Sequence, residues 1–120
     1  MGLEQFAVAT DFKPERWVDF RVPKHKPIDT INSSSSAAYR KVYLYHWRNE
    51  QDLHAWMRRM YQDKGGGSDP FQLSPVVLDD DDLDALECFV DQSEALDLSM
   101  FIAKARTAIK KGLTVYYFAW

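Results

Sequence analysis

The sequence predicts a single α+β domain, with three helices packed on a small, mostly antiparallel sheet, and three observations carry the prediction. Bulky residues alternate with a period of two at 41–47 (KVYLYHW) and 114–120 (TVYYFAW). Apolar residues recur at helical spacing in three segments beginning near 53, 83 and 98. The chain has 120 residues, 46% hydrophobic and 28% charged, which fills one core and not two. Period-2 and period-3.6 segments in one short chain must share that core, hence a sheet covered by helices.

Residues 2–10 (GLEQFAVAT) are apolar-rich and break at Asp11, which predicts an opening strand over 3–9. Residues 11–39 carry Pro14, Pro23, Pro27 and a serine run at 33–36 with no sustained period, and read as a long irregular loop. Its large apolar groups, Trp17, Phe20, Val22 and Ile28, are the expected anchors. In the strand at 41–47, Tyr43, Tyr45 and Trp47 alternate with Val42, Leu44 and His46. Both sets are bulky, so this strand is expected at the centre of the sheet, covered on both faces. Asn49 is the expected N-cap of an amphipathic helix over 50–63, whose stripe is Leu53, Trp56, Met57, Met60 and Tyr61. Glycines 65–67 close that helix.

Residues 71–77 contain Pro75 and can form at most an edge strand. A second helix is predicted over 80–92, its acid-rich first turn favoured by the helix dipole. A third runs over 97–111, with Leu98, Phe101, Ile102, Ala105 and Ile109 on one face and Gly112 as the stop. The strand at 113–119 is too apolar to leave in water and is expected near the centre of the sheet.

The net charge of −3 conceals a segregation. Residues 13–64 hold eleven Lys and Arg against six acids, whereas residues 65–103 hold ten acids and no Lys or Arg. Such a bipolar chain either pairs its charges within the fold or presents a docking surface to a charged partner. An acidic isoelectric point disfavours nucleic acid as that partner. No apolar run is long enough to span a membrane, and the first residues lack a signal-peptide pattern, so a cytoplasmic protein is expected. The one cysteine, Cys88, sits in the middle of a predicted helix beside Phe89 and is expected to be a buried thiol. His25, His46 and His54 are too scattered for a zinc set, the aspartates at 79–82 lack a calcium-loop spacing, and the glycines at 65–67 lack the Lys and Ser/Thr of a phosphate loop. No cofactor and no metal are expected, and no nucleophile-and-base pair stands out.

One constellation could bind a ligand. The strand at 41–47 runs straight into the first helix, so Trp47, Arg48, His54 and Arg58 are expected to gather at one end of the sheet with Tyr117 and Trp120 of the last strand. Cations beside aromatic rings suit an anion, a base or an acidic peptide. The competing reading makes the rings core and the cations solvated.

At residues 43–57 (YLYHWRNEQDLHAWM) the chain resembles a family of small proteins encoded by tailed phages, notably cyanophages. That family's pattern opens with MGLD-like residues, carries YWRK-x-x-x-LH-x-W and ends in G-x-x-VYY-x-WW. Matching stretches here are residues 1–6 (MGLEQF), then Tyr45, His46, Trp47, Arg48, Leu53, His54 and Trp56, and finally Gly112, Val115, Tyr116, Tyr117 and Trp120. A Gly-Phe-Phe-Phe-Gly segment of many relatives is absent, since residues 91–96 (DQSEAL) stand in its place. Some members carry the label phosphoglycerate kinase. That activity closes two large domains over a nucleotide, and a chain of 120 residues without a phosphate loop does not supply them. The resemblance implies a phage accessory protein that works in the host cytoplasm. With no catalytic motif in view, the function expected is non-catalytic binding of a host protein, with self-association left open. The alternative is a small metabolite-binding domain or enzyme that uses His54 with Arg48 and Arg58.

Overall fold

A computed structural model describes residues 3–23, 38–67, 74–91 and 98–119. Strand β1 (Glu4–Thr10) is hydrogen-bonded to β2 (Lys41–Arg48) on one side and to β4 (Thr114–Ala119) on the other, and β3 (Val76–Leu78) pairs with the far side of β4. The four strands form one antiparallel sheet of order β2-β1-β4-β3. With α1 (Gln51–Asp63), α2 (Asp80–Asp91) and α3 (Ser99–Lys110), this is the α+β arrangement the sequence predicts, with β4 inside the sheet and the Pro75 segment at its edge.

Strand β2 differs from expectation on two counts. It is an edge strand, and most of its residues are exposed or half-buried. Its alternation also changes phase. Ala7 pairs with Tyr45 and Val8 with Tyr43, so Leu44 is an extra, bulged residue. Val42, Leu44, Tyr45 and Trp47 consequently face the helices, whereas Tyr43 and His46 meet Phe6 on the other side of the sheet. A sequence period cannot register one inserted residue that reverses the faces.

The core lies between the sheet and the helices. Ala7, Ala9, Val115 and Tyr117 of the sheet pack with Leu53, Met57 and Tyr61 of α1, Leu83 and Leu86 of α2, and Phe101, Ile102 and Ala105 of α3. Trp56 is only half-buried, its ring 6.2 Å from that of Phe89. Cys88 is exposed, not buried: it follows the inward-facing Leu86 by two positions, about 200° around the helix.

The helix ends follow local chemistry. Both α1 and α3 stop in Schellman motifs, in which Gly66 N donates to Tyr61 O (2.9 Å) and Leu113 N to Ala108 O (3.1 Å), across Gly65 at φ +97° and Gly112 at φ +83°. A Cβ on Gly66 would lie 2.3 Å from the Tyr61 ring, so at Gly66 a close approach favours glycine, whereas at Gly65 the turn does. Helix α2 opens with a reciprocal cap. Asp82 N donates to Asp79 Oδ1 and Asp79 N to Asp82 Oδ2, each at 2.9 Å. Asn49 does not cap α1. At φ +58° its Oδ1 accepts from Leu3 N (2.7 Å) and its N–H donates to Leu3 O (2.8 Å), which extends the β1–β2 pairing.

The described part of the 11–39 segment is anchored chiefly by Val18, which is buried and bridged to Val76. Trp17 N-terminal to it is exposed, Phe20 packs edge-on against Tyr116, and Ile28 lies outside the described residues. No described helix is long and apolar enough to cross a membrane.

Candidate functional site

The buried Gln5 links the sheet to the start of α1. Its Oε1 accepts from Glu50 N (2.7 Å), while its Nε2 donates to Glu50 O and to the Tyr117 hydroxyl, both at 3.0 Å. Tyr117 lies 2.9 Å from His54 Nδ1. The hydroxyl thus joins the Gln5 amide, from which it accepts, to the His54 ring, with the direction of the second hydrogen bond set by the imidazole tautomer. Burial pushes the Tyr117 hydroxyl far up from its ordinary value of 10.0, against the opposing Gln5 hydrogen bond, so this phenol stays protonated. The chain Glu50–Gln5–Tyr117–His54 ties the residue before α1 to the sheet without a side-chain cap on the helix itself, and it holds His54 on the first turn of α1.

The predicted site residues divide between three places. Trp47 is core, its ring 5.0 Å from Phe101 and 4.9 Å from Tyr45, and among the described residues its Nε1 is buried without a hydrogen-bond partner. Tyr117 is core as well. Arg48 lies on the other face of the sheet, where its Nε (2.9 Å) and Nη2 (2.8 Å) meet Glu4 Oε1. His46 Nε2 approaches Glu4 Oε2 at 2.5 Å, and these two partners hold the Glu4 carboxyl below its ordinary value. His54 and Arg58 remain together on α1, separated from Arg48 by the sheet. Trp120 lies outside the described residues.

His54 and Arg58 share their surroundings with Gln51, Ala55, Arg59 and Gln62. All six come from α1, so among the described residues the depression they line is a shallow helix face, with the Tyr117 hydroxyl of β4 reaching only His54 at its margin. Arg58 and Arg59 are both exposed.

The face of the sheet turned away from the helices carries rings that sequence reasoning did not group. Phe6 stacks on His46 at 4.7 Å and on Phe118 at 5.4 Å, Phe118 stacks on Tyr116 at 6.0 Å, and Tyr43 meets Phe6 edge-on. The first two spacings are near the distance between strands, so the rings stand side by side across β2, β1 and β4. The signal was Phe6, Phe118 and Tyr116 alternating with the core residues of the same strands.

The segregated charge is partly paired inside the fold. Lys64 at the end of α1 contacts the largely buried Asp82 carboxylate, donates to Val77 O at 2.5 Å and lies 5.2 Å from the Trp17 ring centre. Burial is the largest influence on Asp82 and pushes its carboxyl up against the pull of Lys64. Arg106 of α3 holds Asp84 (2.7 Å) and Glu87 (2.8 Å) of α2. Comparison with protein-family models, curated proteins and solved structures finds no match to this chain.

Proposed function

We propose that this is a phage accessory protein that binds a host protein without catalysis during infection, in the host cytoplasm, and that the outer face of α1 is its contact surface. The observation that carries the reading is the placement of His54, Arg58 and Arg59 on one open, cationic helix face. A reaction needs reacting groups converging on a substrate from several sides, which a single helix face does not offer. A protein surface of complementary charge can lie flat against it, and exposed cations would steer its approach. The phage setting comes from the resemblance at residues 43–57 and at both ends of the chain. The acidic isoelectric point favours a protein over a nucleic acid as the partner.

The test compares affinity capture from host lysate by the wild-type protein and by the double variant Arg58→Ala with Arg59→Ala. A host protein retained by the first and lost from the second, at equal melting temperatures, is the expected result. Retention of the same protein by both, or of none above background at low as well as moderate salt, would overturn the assignment.

A further inference from the structure

We infer a second contact surface, a groove between the outer edge of β2 and α3 that takes an extended, acidic peptide segment as an added strand. Strand β2 ends the sheet, so among the described residues no strand pairs with its outer side. It is eight residues long, contains no proline, and carries charge only at its ends and at His46 when protonated. Natural edges are usually shortened or charged to prevent pairing, and β2 has little of either protection beyond its bulge. Ordinary strand alternation puts Leu44 on the same side as Val42, and the two form an apolar floor with Ala103 of α3. The small side chains of α3 at this point leave a groove of about 420 Å³.

Arg40, Lys104 and Lys111 line the groove, and among the described residues no acid does. This charge selects the occupant. A strand laid along β2 would satisfy the outer backbone groups, place alternate apolar side chains on Val42 and Leu44, and bring carboxylates to the three cations. The surface shares no residue with the outer face of α1, so it stands on its own observations.

Fluorescence anisotropy with a short labelled peptide of alternating glutamate and valine tests the inference. Saturable binding is expected, weaker by about tenfold for the lysine–valine counterpart and by about tenfold for the variant Lys104→Gln with Lys111→Gln. N-methylation of alternate backbone nitrogens in the peptide should abolish binding, because it removes the strand hydrogen bonds and keeps the side chains. Should the double variant fold poorly, the wild-type protein still decides: its affinity must fall as salt is raised. Absence of saturable binding, equal affinity for the lysine peptide, tolerance of N-methylation or indifference to salt would each overturn the proposal. So would sedimentation showing a dimer that Val42→Lys dissociates, since a second copy would then be the occupant. Arg58→Ala with Arg59→Ala should leave peptide binding unchanged, which separates this surface from the one on α1.

Discussion

The two faces of the sheet are made from the same strands and are held together in different ways. Toward the helices, β1 presents Ala7 and Ala9, small enough for helical side chains to close over them, and Tyr117 is sealed in with its hydroxyl bonded. Toward the other side, the same strand presents Glu4, Phe6 and Val8, and stability comes from ring against ring and from Glu4 between His46 and Arg48. The covered face depends on close packing, where a lost group leaves a cavity. The other face depends on contacts that water can replace in part. Equal truncations should therefore cost unequal amounts, and that inequality can be measured.

Phe101→Ala should have the largest effect. It empties a fully buried site against Trp47 and should cost about 3–5 kcal/mol in denaturant unfolding. Phe6→Ala removes a half-buried ring from the ladder and should cost about 1–2 kcal/mol, between the values for buried and exposed sites. An equal loss for the two would erase the distinction between the faces. Between these lies Lys64→Met, which leaves the Asp82 carboxylate with little water and no cation. A loss of about 2–3 kcal/mol is expected, below the value for a fully buried pair because both groups keep some exposure. That loss should grow as pH rises above the ordinary aspartate value of 3.8, where the unfolded chain is ionised and the folded one resists ionisation.

Tyr117→Phe sharpens the comparison within the core. It keeps the ring and removes the hydroxyl that Gln5 and His54 share, so about 1–2 kcal/mol should be lost with the fold intact. The smallest effect belongs to Glu4. Its lowered pKa means that its contribution is present above the ordinary value of 4.5 and disappears as pH falls through the lower folded value. Melting temperature should accordingly drop less steeply with acid in Glu4→Gln than in the wild-type protein, and identical slopes would show that the His46 and Arg48 contacts contribute nothing.

Much of the architecture was legible because it is local. The stripes of α1 and α3, the acid-rich start of α2 and the glycines at 65 and 112 each express a preference acting within a few residues, and the elements begin and end close to where those preferences place them. Candidate residues were less legible because their assignment depended on faces. Trp47 and Arg48 are neighbours in the chain and point to opposite sides of the sheet, so the one joins the core and the other pairs with Glu4. Cys88 and Trp56 show the same limit on helices. Position around the axis is readable, but how far the neighbouring helix extends over it is not.

By itself the sequence determined which segments are strands and helices, that they share one core, and that a terminal strand as apolar as β4 belongs inside the sheet. Periodicity and apolar content are properties of a segment and need no partner to be read. Only the tertiary structure decided that β2 is an edge, that Leu44 bulges, that Gln5 rather than Asn49 organises the start of α1, and that Lys64 reaches Asp82. Each joins residues far apart in the chain or depends on one inserted residue. Their energies arise when distant groups share a desolvated space, and local pattern carries no record of that meeting.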